Sequence, residues 1–186
     1  MKRDGQDIPY EYDRVPRASL TSEDILSAAF VVTEDVFNSE LMAPYDILII
    51  PSTGGSMNRD LENERYQSWL RQAVADAKYV ITLCDGAFPL AETGALDGLM
   101  ATTFPGDRDV FSERYPLIDV RYDARFVHDG KFITSVGGGM SYEPALYLTE
   151  LLFGRDDAVE TAEGLVWEWN VESVPHVVVN SDGASN

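Results

Sequence analysis

The stretch from Lys78 to Gly94 constrains the fold of this chain more than any other part of the sequence. Its run from Tyr79 to Leu83 is unbroken by charge and rich in β-branched residues, which predicts a strand covered on both faces. A sharp turn carrying the single cysteine, Cys84, comes next, and a helical pattern of small residues begins after Gly86. Unpaired N–H groups and the dipole at a helix N-terminus favour the thiolate form of such a cysteine. Cys84 is therefore the first candidate for chemistry.

A second buried strand is predicted from Tyr45 to Pro51. It ends in a loop with Gly54 and Gly55, whose backbone freedom permits close approach to a ligand. An amphipathic helix from Glu62 to Lys78 leads to the central strand. Further strands are predicted at 29–32, 99–103, 118–120, 125–127 and 132–136, helices at 107–115 and 141–153, a tight turn at 129–130, and edge strands at 165–169 and 176–179. This alternation predicts an α/β sandwich with a largely parallel sheet.

The length of 186 residues fits one folded domain with its own core. Residues 1–22 are polar and follow neither the helical nor the strand period, so we predict an irregular N-terminal arm. Residues 23–180 then form the α/β domain, with a connector at 35–43, and residues 181–186 form a disordered tail.

Composition excludes several classes of function. Lysine and arginine number 14 against 32 acidic residues, a net charge of -18 that argues against binding to nucleic acid or an anionic membrane. One cysteine and two histidines argue against a disulfide framework or a metal site, and we expect no cofactor. No apolar run approaches the roughly 18 residues of a membrane span, and no signal peptide begins the chain. We expect a cytoplasmic protein. The alternative that a leader peptide was removed before the first residue stays open.

Several motifs together resemble the ThiJ/PfpI superfamily of class I glutamine amidotransferase-like proteins. They are the strand and glycine loop at 46–55, the segment from Cys84 to Gly98, the threonines after Ala101, the segment from Val127 to Ser135, and the glycines that lead into residues 142–148. In order and spacing these motifs cover about residues 45 to 154.

The resemblance implies a flavodoxin-like three-layer sandwich, commonly dimeric, with Cys84 on a nucleophile elbow. Backbone N–H groups near Gly54 and Gly55, with those of Asp85 and Gly86, would form an oxyanion-type cradle facing the sulfur. Members of the superfamily include hydrolases, isocyanide hydratases, glyoxalase-type and deglycase-type enzymes, redox sensors and regulatory ligand-binding domains. The fold therefore does not determine the function.

The sequence departs from the family pattern in two places. Members that hydrolyse amides often have a histidine directly after the cysteine, but Asp85 occupies that position and should oppose thiolate formation unless its carboxylate points away. The family also tends to place an acid from its first strand-helix unit near the sulfur. Only 44 residues precede Tyr45, so either the arm replaces that unit or the chain lacks it.

Each candidate residue also has a structural interpretation. A free cysteine such as Cys84 is often an inert buried residue. Asp85 could hold water or a polar substrate group, or cap the helix after the elbow. His128 and His176 fit surface roles better than base catalysis, and Glu143 fits the dipole of its helix. Core or dimer packing explains the two tryptophans at 167 and 169 better than ligand stacking.

Two hypotheses remain from the sequence. The first is a cysteine-dependent hydrolase or lyase for a small carbonyl, amide or isocyanide-like substrate, with Cys84 as nucleophile. The second is a non-catalytic member that binds a small ligand or senses oxidants through Cys84. The family also suggests a homodimer, with the apolar parts of residues 165–179 in its contact.

Overall fold

The computed structural model describes residues 45–55 and 57–179, together with three short N-terminal strands. The strands are β1 (Lys2–Arg3), β2 (Gln6–Asp7), β3 (Ala28–Phe30), β4 (Ile47–Ile50), β5 (Tyr79–Leu83), β6 (Met100–Ala101), β7 (Asp119–Val120), β8 (Phe126–Asp129), β9 (Phe132–Ser135) and β10 (His176–Val179). The helices are α1 (Met57–Glu62), α2 (Glu64–Asp76), α3 (Ala87–Glu92), α4 (Arg108–Arg114), α5 (Tyr142–Phe153) and α6 (Arg155–Gly164).

The main sheet has the strand order β10-β8-β9-β5-β4-β3. Its neighbours run parallel except β8 and β9, which form an antiparallel hairpin around Gly130. This arrangement confirms the predicted, mostly parallel α/β sheet and the tight turn. Since β5 lies between β4 and β9, the loops that follow these three strands are brought to Cys84, at the carboxyl end of β5.

Apolar side chains cover both faces of this sheet, which explains the unbroken apolar runs. On β4, Leu48 and Ile50 pack in a core with α2, α3 and α4, whereas Ile47 and Ile49 pack on the opposite side with α5 and α6. Val80 and Ile81 of β5 divide between the same two cores. The result is a three-layer sandwich in which burial on each face stabilises the central strands.

The chain differs from the sequence predictions mainly near its ends. The short strands β1 and β2 pair within the segment predicted to be irregular. The predicted strand at 165–169 is wrong: Leu165 and Val166 form a turn after α6, and Val166 has a φ of 57°. The helix α6 was not predicted. The predicted connector at 35–43 and the tail at 181–186 lie outside the described residues. No helix in the described part is both long and apolar enough to cross a bilayer.

Candidate active site

Cys84 has a backbone conformation that residues other than glycine rarely adopt. It lies directly after β5 with a φ of 58° and begins the short 3₁₀ turn Cys84–Gly86, from which α3 continues. A non-glycine residue in this left-handed region costs about 1–3 kcal/mol and persists only where its surroundings hold it. Cys84 therefore lies in a strained turn between the end of β5 and the start of α3, and it is partly exposed.

Two glycines let the backbone pack tightly around the elbow. A Cβ on Gly86 would lie 2.3 Å from the carbonyl oxygen of Ile50 and 2.5 Å from that of Pro51. A Cβ on Gly137 would lie 2.4 Å from the Cys84 nitrogen. Only glycine fits at either position, because a real side chain would clash with fixed backbone atoms. The loops after β4 and β9 are therefore in contact with the elbow.

The Asp85 side chain ties the loop after β4 to the elbow. Its carboxylate accepts hydrogen bonds from the Thr53 backbone N–H at 2.9 Å and from the Thr53 hydroxyl at 2.6 Å. It is 9% exposed and makes no capping bond to α3. Asp85 therefore does not cap α3. Its carboxylate instead positions the loop that carries Ser52 and the two glycines.

Ser52 lies on the loop that Asp85 holds against the elbow. The Gly54 N–H donates to the Ser52 side-chain oxygen at 3.3 Å. Ser52 and the Asp85 N–H both act to lower the pKa of Cys84.

A third segment approaches the elbow from the other side. The Thr103 hydroxyl donates to the Cys84 carbonyl oxygen at 3.0 Å, and the 3₁₀ turn Pro105–Asp107 follows. Arg108 fastens this turn by donating to the Thr102 hydroxyl at 3.2 Å and to the carbonyl oxygens of Tyr122 and Ala124, at 2.7 and 2.8 Å. Asp107 is thereby held close enough for its charge to act on Cys84.

The environment of the thiol favours its protonated form. Burial raises the pKa of Cys84, and the carboxylates of Asp85 and Asp107 raise it further, against the hydrogen bonds from the Asp85 N–H and Ser52. The pKa of Asp107 is also raised, first by burial and then by Asp85. Burial and the two carboxylates therefore disfavour the thiolate and any further negative charge at this position.

The residues predicted to form the cradle lie on two segments: Gly54 and Gly55 follow Thr53, which is bonded to Asp85, and Asp85 and Gly86 belong to the turn itself. Gly54 and Gly55 have φ values of 59° and 91° and line an open surface depression with Asn58 and Arg59. Gly54 already donates its N–H to Ser52. Gly86 is buried beneath the elbow.

The other candidate residues contact different parts of the fold. His128 is half-buried, with Nδ1 2.7 Å from the Tyr147 hydroxyl and Nε2 3.0 Å from the Gly130 carbonyl oxygen. Its pKa is lowered by burial. His176 bonds to the Val174 carbonyl oxygen. Within residues 45–55 and 57–179, no group of three or more histidine, cysteine or acidic side chains could hold a metal ion.

Sequence reasoning missed Ser52, Thr53, Thr103 and Asp107. One signal was available for the first two: β4 and β5 are both buried parallel-type strands, and the carboxyl ends of neighbouring parallel strands meet at one edge. The residues after Ile50 should therefore lie beside Cys84. This expectation applies to Ser52 and Thr53 as well as to the glycines.

A family model for the DJ-1/PfpI family matches residues 22–151. The Drosophila melanogaster protein dj-1beta is 29% identical over 126 residues, covering 68% of this chain and 66% of its own. Isonitrile hydratase from Pseudomonas putida is 30% identical over 113 residues, covering 61% of this chain and 48% of its own. The chain thus spans less than two thirds of the length of either relative.

The crystal structure of Drosophila DJ-1beta has a similar fold. It superposes with a TM-score of 0.57 at 27% identity, over 67% of this chain and 66% of the fly chain. A likeness of this extent supports the flavodoxin-like sandwich around the elbow.

Proposed function

The chain belongs to the DJ-1/PfpI family, and on that basis we propose that it is a cysteine-dependent hydrolase or lyase in which Cys84 is the nucleophile. The observation that carries the proposal is the strained backbone of Cys84, which holds a partly exposed thiol between the end of β5 and the start of α3. Strain at a partly exposed thiol is retained where it serves a site. The likeness to an isonitrile hydratase supports the same class of chemistry.

The charges around the sulfur narrow the substrate to a small neutral electrophile. Asp85 and Asp107 both act on Cys84 and would repel an anionic substrate from the reacting carbon. An aldehyde, amide or isocyanide carries no charge to be repelled. In the addition step the sulfur bonds to the electrophilic carbon, and N–H groups of the Gly54–Gly55 loop, with those of Asp85 and Gly86, stabilise the charge that develops on the substrate.

The test compares the wild-type protein with Cys84→Ala on three substrates: an aryl isocyanide, an α-oxoaldehyde and a simple amide. We expect the wild type to convert at least one of them, and Cys84→Ala to convert none, as measured by mass spectrometry of the products. Equal conversion by both proteins, or conversion by neither, contradicts the proposal.

A non-catalytic oxidant sensor is the second candidate, favoured by one observation: both ring nitrogens of His128 and the Nδ1 of His176 bond to other groups, and neither histidine is among the groups that shift the pKa of Cys84. A sensor would gain oxygen atoms on Cys84 at low peroxide concentrations without turnover of any electrophile. The raised pKa of Cys84 does not separate the two candidates, because peroxide and a carbon electrophile both react with the thiolate.

We also propose that the protein is a homodimer, as the family resemblance implies. Exposed apolar side chains at Tyr142, Leu165 and Val166 lie beside Trp167, whose ring centroid is 5.8 Å from that of Tyr142. Burying such a patch against a second copy would stabilise the pair. Light scattering should then give twice the chain mass, and a single-chain mass would contradict the dimer.

A further inference from the structure

The peptide group between Cys84 and Asp85 is held by a hydroxyl from a distant part of the chain. Thr103 donates its side-chain O–H to the Cys84 carbonyl oxygen at 3.0 Å, and Thr103 is itself buried. The peptide bond is trans, and the C=O and N–H of a trans peptide lie in one plane and point in opposite directions. The bond from Thr103 therefore also sets the direction of the Asp85 N–H.

We propose that Thr103 is a positioning residue, whose hydroxyl holds the Cys84–Asp85 peptide so that the Asp85 N–H stays directed at the reacting atoms. Thr103 acts through the backbone of Cys84. The proposal rests on the proposed function, because the Asp85 N–H is one of the groups expected to stabilise charge in the addition step.

The turn at Cys84 needs such a bond on its carbonyl side. On the amino side, Gly137 lies against the Cys84 nitrogen, where a Cβ on the glycine would be 2.4 Å away. The peptide that follows is different, because β-turns of types I and II differ mainly by a rotation of their central peptide. A similar rotation here would exchange the Asp85 N–H for a carbonyl oxygen, whose partial negative charge repels a thiolate. The Thr103 bond exists only in the orientation that presents the N–H.

Thr103 is a rigid donor because the residue before it is anchored. The Thr102 N–H donates to the Thr134 hydroxyl of β9 at 2.9 Å, and the Thr102 hydroxyl donates to the Arg121 carbonyl oxygen at 2.9 Å. Both threonines, 102 and 103, are 0% exposed. Bulk water therefore cannot take the place of the Thr103 hydroxyl, and its loss leaves the Cys84 carbonyl without that donor.

The Asp85 N–H serves the chemistry at two stages. Before reaction it acts to lower the pKa of Cys84, against burial and the charges of Asp85 and Asp107. During addition to an aldehyde, the thiol proton leaves to solvent and the sulfur bonds to the carbonyl carbon. The C=O π pair moves to the oxygen, which then takes a proton from water to give a hemithioacetal. An N–H directed at that oxygen stabilises its developing charge.

The experiment compares the wild type with Thr103→Val and Thr103→Ala, which lack the hydroxyl, and with Thr103→Ser, which keeps it. Thr82→Val controls for packing, because Thr82 is buried on β5 and its hydroxyl has no hydrogen-bond partner among the described residues. Thr93→Val controls for the lost bond, because the Thr93 hydroxyl donates to the Leu90 carbonyl oxygen at 2.6 Å, at the far end of α3.

Three quantities are measured on each protein. They are the pH midpoint of Cys84 alkylation by iodoacetamide, the rate of hemithioacetal formation with phenylglyoxal at neutral pH, and stability in urea. Alkylation depends on the thiolate alone, whereas addition also develops charge on a carbonyl oxygen. The two reactions therefore report the two stages separately.

In Thr103→Val and Thr103→Ala we expect the alkylation midpoint to move about one pH unit upward, because the N–H that stabilises the thiolate is no longer held in place. Addition to phenylglyoxal should slow by about 100-fold, more than alkylation does, since the developing oxygen charge loses the same donor. Thr103→Ser should recover most of both effects. Thr82→Val and Thr93→Val should keep the wild-type midpoint, although Thr93→Val should be less stable.

An unchanged midpoint in a folded Thr103→Val or Thr103→Ala overturns the proposal. An equal shift in Thr93→Val also overturns it, because the effect would then follow a loss of stability. Failure of the proposed function gives a different result. If the wild type converts no substrate but the midpoint moves as expected, the positioning role stands and the enzyme assignment falls. If the wild type and Thr103→Val turn substrate over equally well with the same midpoint, the enzyme assignment stands and the positioning role falls.

Discussion

Gly137 lies so close to Cys84 that a Cβ on the glycine would be 2.4 Å from the cysteine nitrogen and 2.6 Å from the cysteine Cβ. Gly137 also has a φ of 71°, so two neighbouring segments are both in the left-handed region where they meet. The loop after β9 therefore supports the strained turn directly.

Gly137→Ala should destabilise the protein more than Gly138→Ala does. Both glycines have positive φ, at 71° and 58°, but a Cβ on Gly138 would meet nothing within 4 Å. Gly137 has a ψ of -150° as well, a combination that essentially only glycine adopts, so Gly137→Ala combines backbone strain with the clash against the elbow. We expect Gly137→Ala to cost about 1–3 kcal/mol more, measured by urea denaturation. Equal losses in the two variants would mean that the loop moves away from Cys84 at little cost.

Replacement of Cys84 itself measures the strain at the elbow. Glycine normally costs about 0.5–1 kcal/mol relative to alanine because it loses more freedom on folding. At a φ of 58° the order should reverse, since alanine retains the left-handed strain and glycine does not. We expect Cys84→Gly to be at least as stable as Cys84→Ala in thermal unfolding. A Cys84→Gly protein that melts well below Cys84→Ala would argue against strain at this residue.

The central strands and the elbow could be predicted because the signal is local. Unbroken apolar runs at 47–50 and 79–83 require cover on both faces, and both became central strands of a parallel sheet. The segment at 165–169 was misleading because its alternating apolar side chains imitate a strand. Trp169 is in fact buried against α5, where its indole N–H donates to Glu150 at 2.6 Å.

The helix α6 gave a weak signal for a different reason. Only Ala158 and Ala162 are buried in it, and acidic residues occupy half of the other positions. Small residues four positions apart carry little hydrophobic contrast, so the helical period is hard to detect.

The site residues were hard to predict because their contacts join distant parts of the chain. Thr53 and Asp85 are 32 residues apart, and Thr103 and Cys84 are 19 residues apart. Sequence patterns report neighbours along a strand or helix. They do not report which loop side chains meet at one edge of a sheet, so Ser52 and Asp107 emerged only from the folded structure.

Asp85→Asn should make the thiol more acidic. The charge of Asp85 raises the pKa of Cys84, while an amide can keep both bonds to Thr53 by accepting from its N–H and donating to its hydroxyl. We expect the alkylation midpoint of Cys84 to move to lower pH with little change in melting temperature.

Two controls accompany Asp85→Asn. Asp76→Asn removes one charge at the exposed end of α2 and should leave the midpoint unchanged. Asp85→Ala removes both bonds to Thr53 and should lower the melting temperature as well. A midpoint that does not move in Asp85→Asn would mean that the carboxylate acts on the loop alone.

Arg125 and Glu143 form an ion pair at 2.5 Å whose carboxylate is 3% exposed. Burial raises the pKa of Glu143, and the charge of Arg125 opposes that rise. A carboxyl group with a raised folded-state pKa contributes stability that is full below its unfolded pKa and is lost as pH rises through the folded value. Removing the arginine should raise the folded pKa further and increase that loss.

Arg125→Ala should therefore destabilise the protein by about 1–3 kcal/mol at neutral pH, and by less near pH 3, where Glu143 is mostly protonated in both states. The measurement is urea denaturation across that range. The double variant Arg125→Ala with Glu143→Gln has no carboxylate at position 143 that could be left without its partner. The difference in the free energy of unfolding between this double variant and Glu143→Gln should therefore not vary with pH. The loss of stability in Arg125→Ala could instead be equally large at acid and neutral pH. That result would mean that the arginine contributes by packing on Met140, whose sulfur lies 3.1 Å from its Nη1, and not by balancing the buried charge.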